Sequence, residues 1–331
     1  MCAASSLVDK YRGDNKRMIG DRMLICNKLS EAKQILGDRA TAVALGTFDG
    51  VHIGHQSIIQ RAMSLAKAHR LASVVYTFSN HPLEQIAPAK VPMQIGDNIS
   101  KAEILAELGV QVLVNVPFTE KLCGQSPEEF LEELCHSLNP RYLVTGPNFS
   151  FGAKAKGNPR MLLRMGEEYG FQAEIGQAVQ LDGRMVSSTR IRSLIEAGDL
   201  EKTNEYLGRY FSFGGRVIHG DHRGRKLGFP TANLAIGAHR AMLPNGAYAV
   251  QIILDGKHYN GIANIGDNPT FEGCNRRLEV NILDFSQDIY DMPITVQFVA
   301  KLREQKKFSG IEALIKQLHT DEANARRLLA N

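Results

Sequence analysis

Two stretches of this sequence combine residue types and spacing that suit phosphate chemistry. In the first, GTFDGVHIGH, the glycines Gly46, Gly50 and Gly54 accompany His52 and His55 where a β-branched run ends and helical periodicity begins. A helix N-terminus offers unpaired N–H groups and a partial positive charge, and glycines let the backbone approach an anion. Two imidazoles add donors that can follow charge onto a bridging oxygen. Such a turn suits a phosphate and needs no lysine. A histidine pair at a turn can also be incidental, so the string as a whole has to carry the argument. A Walker A segment, GxxxxGK[ST], is absent, and P-loop chemistry is therefore not expected. Further along, SSTRIR places a hydroxyl at Ser188 that can cap a helix and a guanidinium at Arg192 that can take two phosphate oxygens.

The second stretch is GRKLGFPTANL, from Gly224 to Leu234. Glycines flanking basic residues form a flap that can cover phosphates, while Thr231 offers a hydroxyl to Mg²⁺ and Asn233 an amide to substrate or nucleotide. Downstream, the alternation of LEVNIL puts Glu279 and Asn281 on the face opposite Leu278 and Val280. A carboxylate on such a face can serve as a general base. Taken alone, LEV is also consistent with an exposed strand glutamate that has no role. No HRD catalytic loop or Gly-rich protein-kinase loop is present.

The elements that must position these residues change character along the chain. From Thr41 to Val179, short β-branched runs alternate with helical periodicity, which is the pattern of a parallel sheet with crossover helices. TAVALGTF, a helix over Ile58 to Arg70 and SVVYTF make the first such unit. A helix over Ser100 to Leu108, the strand GVQVLVNV, a helix to Leu138 opened by Ser126-Pro127-Glu128-Glu129, the strand RYLVTG and a strand over Glu174 to Val179 follow. Ser188 to Glu196 and Leu200 to Leu207 read as short helices. Beyond Gly208 come consecutive strands, over Phe211 to His219, Ala247 to Leu254, His258 to Ile265, Arg277 to Leu283 and Ile294 to Leu302. Five or six strands in about a hundred residues predict a small closed barrel. Gly310 to Leu318 and Asp321 to Leu329 read as two helices outside it.

At 331 residues the chain exceeds one ordinary core, since single cores stop growing near roughly 250 to 300 residues. Two domains are expected, 21–207 and 208–331, after a flexible extension over 1–20. An apolar fraction of 44% with 22% charged residues fits a soluble globular protein. The net charge of +4 includes no basic stripe of the kind that tracks a nucleic-acid backbone. Five cysteines without a CxxC pair argue against structural zinc and a secreted disulfide scaffold. No apolar run approaches the roughly 20 residues that span a bilayer, so neither nucleic acid nor membrane is an expected partner and the cytoplasm is the expected compartment.

GTFDGVHIGH resembles the GxFDGxHxGH signature of flavin-forming members of the HxGH nucleotidyltransferase superfamily. TFSNHP, from Thr77, resembles their TFxPHP with Asn80 where proline is more usual. TGPNFSFG, from Thr145, is similar to GxDFxFG or GxNFxFG, with Asn148 at the polar position and Ser150 where a basic residue is common. SSTRIR resembles SSTxIR. GRKLGFPTANL resembles the riboflavin kinase signature GRxLGFPTANL almost residue for residue. GIANIGDNPTF and RRLEVNILDF resemble that family's later strands, and KLREQKKF its LRxExKF run, in which Arg303 has a structural role. From Thr41 to Leu329 the chain resembles the bacterial bifunctional riboflavin kinase/FAD synthetase family.

The resemblance implies an α/β architecture: a Rossmann-like HxGH nucleotidyltransferase domain with a parallel sheet, then a small antiparallel β-barrel kinase domain with C-terminal helices. It implies phosphorylation of riboflavin to FMN by ATP, releasing ADP, and adenylylation of FMN to FAD, releasing pyrophosphate. Mg²⁺ would accompany ATP, with Thr231 as its ligand, and no obligate protein partner is implied. By position, Glu279, His52 and His55 would be catalytic. Gly46, Phe48, Asp49, Gly50, Gly54, Ser188, Thr189, Arg192, Gly228, Thr231 and Asn233 would meet ATP or phosphate. Asn80, His81, Pro82, Asn148 and Phe149 would lie beside flavin or nucleotide. Three rivals stay open at this point: a riboflavin kinase with a weak or inactive adenylyltransferase half, an RNA-acting protein using a HIGH-type motif, and a flavin-binding regulator without turnover. The missing KMSKS-like lysine motif counts against the second.

Overall fold

The structure is a computed structural model and describes residues 17–19, 23–220, 228–267 and 276–330. The chain divides into two compact units, residues 1–92 with 98–187 and residues 93–97 with 188–331.

The first unit is built on a seven-stranded sheet. Its strands are β1 (Arg17–Ile19), β2 (Met23–Cys26), β3 (Thr41–Leu45), β4 (Ala72–Phe78), β5 (Val112–Val116), β6 (Pro140–Thr145) and β7 (Gln172–Ile175). They lie in the order β1-β2-β5-β4-β3-β6-β7, and every neighbouring pair except β1–β2 is parallel. TAVAL and VLVNV are buried at every position, as strands covered by helices on both faces must be. The helices are α1 (Leu29–Leu36), α2 (Ile53–His69), α3 (Leu83–Ile86), α4 (Asn98–Glu107), α5 (Glu120–Gly124), α6 (Pro127–Leu138) and α7 (Pro159–Tyr169). Val43, Leu45 and Tyr76 pack with Leu131 and Leu134 of α6 on one face, and Ala44, Val75 and Leu113 with Ile59 of α2 and Leu105 of α4 on the other. The α6 start expected from sequence is present as a full capping box between Ser126 and Glu129, with Pro127 in the first turn.

From β3 the chain steps one way to β4 and β5, then returns to β6 on the other side of β3. The topological switch point therefore lies between β3 and β6, and open α/β sheets bind ligands beyond the C-terminal ends of strands at such a point. The segments of interest after β3, β4 and β6 all leave from that edge.

The second unit opens with α8 (Ser188–Ala197) and α9 (Leu200–Leu207). Six antiparallel strands follow: β10 (Phe211–Arg216), β11 (Ala232–Ala235), β12 (Gly246–Leu254), β13 (Lys257–Asp267), β14 (Arg276–Ile282) and β15 (Pro293–Glu304), numbered after the short hairpin of β8 (Gln180–Leu181) and β9 (Arg184–Met185) in the first unit. Their order is β10-β15-β12-β13-β14-β11. Just past β10, Ile218 N–H donates to the Asn233 carbonyl of β11 at 2.8 Å, and with this bridge between its edges the sheet curls into a nearly closed barrel.

Several boundaries differ from the sequence reading. The two expected C-terminal helices are one continuous helix, α10 (Ile311–Leu328). Asp321, which could have capped a second helix, is buried and accepts from Gln317 Nε2 at 2.8 Å and from Arg303 of β15, so its carboxylate is used sideways and the helix runs on. β7 runs from Gln172 to Ile175, short of the expected Val179, and its last ladder bond to β6 is Gly176 N–H to the Thr145 carbonyl at 2.7 Å. β10 ends at Arg216 rather than His219. β2 and α1 precede Thr41, where the sequence reading began. Of the expected extension 1–20, residues 17–19 are described and pair with β2. Gly224 to Leu227 of the flap and Asn268 to Phe271 lie outside the described residues.

Candidate functional site

The turn after β3 is held in an unusual backbone. Phe48 has φ 50°, Gly50 φ 76° and Val51 φ 36°. A left-handed conformation is ordinary for glycine but costs a bulky or β-branched residue about 1–3 kcal/mol. Burial holds it in place: Phe48 and Val51 are both within the core. A Cβ on Gly46 would come within 2.8 Å of the Phe48 ring, so only glycine lets the ring lie across the strand end. Thr77 Oγ1 on β4 donates to the Thr47 carbonyl at 2.9 Å, and Gln56 Nε2 to the Val51 carbonyl at 2.9 Å.

His52 is the N-cap of α2, with Nδ1 accepting His55 N–H at 3.2 Å. Acceptance at Nδ1 assigns the proton of the neutral ring to Nε2, which becomes the donor. The His52 and His55 rings stack with centroids 3.5 Å apart, and the edge of Phe48 meets His55 at 5.3 Å. A Cβ on Gly54 would press on the His52 ring at 3.2 Å. The sequence thus produces a helix N-terminus flanked by two imidazoles on a rigid turn, with Asp49 half-buried beside Gly50.

Two more segments emerge from the same edge. After β4, the Asn80 amide donates to the Phe118 carbonyl at 3.2 Å and accepts Phe118 N–H at 2.7 Å, which ties this loop to the one after β5. His81 Nδ1 accepts Leu83 N–H at 3.1 Å, and Pro82 leads into α3. After β6, Phe149 stacks on the buried Phe151 at 5.7 Å, while Asn148 is exposed. Gly46 to His55, Asn80 to Pro82 and Asn148 with Phe149 therefore share one edge of one sheet. Ser188, Thr189 and Arg192 fall in the other unit. There α8 opens at Ser188, so that hydroxyl sits within the first turn rather than ahead of it, and Arg192 Nε donates to the Met93 carbonyl at 2.7 Å.

In the second unit the positioning device is strand register. Asn233 on β11 lies directly opposite Glu279 on β14, and Glu279 lies directly opposite Asn264 on β13, so the three side chains form a row on one face. Directly opposed residues hold their Cβ atoms about 4.5–5.5 Å apart. Leu278 and Val280 point into the core, as the alternation predicts, and Glu279 is half-buried. Asn281 Nδ2 donates to the Pro230 carbonyl at 2.7 Å, which sets Thr231 about one two-residue repeat, roughly 7 Å, along the ladder from Glu279. Gly228 has φ 83°, and the Phe229 ring meets His319 of α10 edge-on at 5.1 Å. On β15, Arg303 Nε lies 2.9 Å from Asp321 Oδ2 and its guanidinium lies over the Phe308 ring, joining β15 to α10.

A family model described as FAD synthetase matches residues 35–190, and one described as riboflavin kinase matches residues 207–329. A bifunctional riboflavin kinase/FMN adenylyltransferase from Bacillus subtilis is 35% identical over 300 residues, covering 88% of this chain and 93% of that protein. The chain belongs to the bifunctional riboflavin kinase/FMN adenylyltransferase family. The member from Pseudomonas fluorescens is 38% identical over 88% of this chain and 94% of its own length. A crystal structure named as a macrolide-efflux protein from Streptococcus pneumoniae superposes with a TM-score of 0.79 at 30% identity, covering 92% of this chain and 98% of that one. Among the described residues here, no helix is long and apolar enough to cross a membrane.

In this member of the family, three residues at the second site escaped the sequence reading. Arg277 is buried, with Nη1 3.5 Å from Asn233 Oδ1, and its place two residues before Glu279 was the available signal. Asn264 reaches the row only through register. Gly220 has no local signal: a Cβ there would lie 2.3 Å from Asn233 Nδ2.

Proposed function

We propose that this chain converts riboflavin to FMN in a kinase module, residues 208–331, and FMN to FAD in an adenylyltransferase module, residues 21–207. The observation that carries the reading is the presence of both constellations in one chain. One is a histidine-flanked helix N-terminus at the switch point of a parallel sheet, and the other is a carboxylate aligned by register with Asn233. The matched segments support this division, and because both halves match, a chain with only one live activity is not favoured.

In the kinase step, Glu279 accepts the proton of the primary ribityl hydroxyl as that oxygen attacks the γ-phosphorus of ATP. The bond to the β-phosphate oxygen breaks, and ADP leaves. Gly228 and Asn233 hold the nucleotide. The oxygen donors Thr231, Asn233, Glu279 and Asn264 suit a hard divalent cation such as Mg²⁺. Such a cation would share its coordination with ATP phosphates. When bound it neutralises phosphate charge.

In the adenylyl step an FMN phosphate oxygen attacks the α-phosphorus of a second ATP, and pyrophosphate leaves. The turn from Gly46 through Phe48, Asp49, Gly50 and Gly54 offers backbone N–H groups to phosphate. His52 and His55 donate to the oxygens that gain charge. Ser188, Thr189 and Arg192 add hydroxyls and a guanidinium for phosphate, and Asn80, His81, Pro82, Asn148 and Phe149 shape the neighbouring surface for flavin or nucleotide. No covalent intermediate with the protein is needed. The free thiols Cys26, Cys123 and Cys135 fit the cytoplasm as the compartment.

Chromatographic product analysis with Mg-ATP and either riboflavin or FMN tests the reading. Glu279→Gln is expected to lower FMN formation about 10²–10⁴-fold while FAD still forms from FMN. His55→Ala is expected to lower FAD formation about 10²-fold or more with phosphorylation intact. Loss of both activities in either folded variant would contradict separate sites.

A further inference from the structure

We propose that Lys101 is a positioning residue for adenylyl transfer, holding the end of β4 so that His81 faces the reaction from a fixed backbone. The inference rests on the reading that the first unit adenylylates FMN.

Lysine is among the residues least often buried, because removing an ammonium from water costs several kcal/mol unless it is partnered. Lys101 of α4 is nevertheless only 9% exposed, and its Nζ donates to the Phe78 carbonyl at 2.8 Å. Phe78 is the last residue of β4, and Ser79, Asn80, His81 and Pro82 follow it directly. Asn98, three residues earlier on the same face of α4, donates from Nδ2 to the Ser79 carbonyl at 2.6 Å. Asn115 Nδ2 of β5 in turn donates to Asn98 Oδ1 at 3.3 Å. Ser79 N–H bonds the Val116 carbonyl at 2.9 Å, and the Asn80 amide takes both backbone groups of Phe118.

Three consecutive residues before His81 are thus fixed from α4, β5 and the loop after β5. Lys101 therefore acts through the backbone that it pins.

The test uses the full chain, with FAD formation from FMN as the readout and riboflavin phosphorylation in the same molecules as a control for intact protein. Lys101→Met is expected to lower kcat/KM for FMN about 10–100-fold, with phosphorylation unchanged, and Lys101→Arg to restore most of the loss. His81→Ala is expected to lose activity too, and the double variant to be no worse than the weaker single variant by more than about twofold, because the two residues act in series. Should Lys101→Met not fold, Asn98→Ala replaces it with the same expected non-additivity. The proposal is overturned if His81→Ala or Lys101→Met leaves FAD formation unchanged, if their effects multiply, or if Lys101→Arg is as poor as Lys101→Met. Undiminished FAD formation by His52→Ala and His55→Ala would instead sink the adenylyl-transfer reading itself.

Discussion

Under the proposed function the turn after β3 and the row on β14 both meet phosphate, and they are positioned by opposite means. The first is a short stretch of chain whose backbone is forced into left-handed conformations at Phe48 and Val51 and locked by burial within a few residues. The second is three side chains on three strands, aligned because antiparallel register puts Asn233, Glu279 and Asn264 opposite one another. The first is local in sequence and depends on close packing, whereas the second is spread over about fifty residues and depends on remote support for the barrel. A local site should fail when a single Cβ is added nearby. A register-built site should fail when a distant brace is cut.

The brace is Asp321, whose carboxylate is 3% exposed and meets Arg303 of β15 and Gln317 within α10. Removing one partner of a buried ion pair leaves the other charge uncompensated, at about 3–5 kcal/mol. Asp321→Ala should therefore destabilise the second unit by up to that amount in calorimetry and abolish most riboflavin phosphorylation at 37 °C, while FAD formation from added FMN persists. A variant that melts like the parent would show that register needs no brace.

Added methyl groups probe the local side of the contrast. Gly46→Ala places a Cβ 2.8 Å from the Phe48 ring, and the ring has no free space to yield, so about 1–3 kcal/mol of stability and most FAD formation should be lost. In Gly220→Ala the Cβ would meet the Asn233 side chain, Nδ2 at 2.3 Å and Cγ at 2.7 Å, a polar group of the proposed site rather than a packed ring. Its cost should appear as roughly a tenfold fall in phosphorylation with little change in stability, in line with a displaced polar contact of about 1.4 kcal/mol. Equal thermal losses in the two variants would erase the distinction between backbone-built and side-chain-built sites.

How much could be read from sequence follows the same divide. GTFDGVHIGH announces its turn because glycine and histidine spacing is a local property, and the α6 capping box is written in four consecutive residues. The face of Glu279 is legible from alternation alone. The φ of 36° at Val51 is not, since a β-branched residue resists that conformation and only tertiary burial enforces it. Lys101 reads as an ordinary helix lysine until α4 is docked on β4. Gly220 and Asn233, thirteen residues apart, meet only when the barrel edges close, and the continuity of α10 depends on where Arg303 draws the Asp321 side chain.

The smallest expected effect compares the two cores by their buried phenols. Tyr248 of β12 donates its hydroxyl to the Pro244 carbonyl at 2.7 Å, and burial first, with Glu304 second, pushes its pKa from 10.0 up to about 12. Burial raises Tyr76 of β4 as well, with Glu133 adding to it. A phenol that stays protonated longer in the folded state than in the unfolded chain stabilises the fold fully below pH 10, and that contribution is lost as pH rises from 10 through 12. Tyr248→Phe should cost about 0.5–1.5 kcal/mol at neutral pH through the lost hydrogen bond and flatten the alkaline fall in stability of the second unit alone. Denaturant melts at pH 8 and pH 11 measure both. If Tyr248→Phe removed the pH dependence of the first unit too, the two cores would be melting as one, and the independence on which the contrast between their sites depends would be lost.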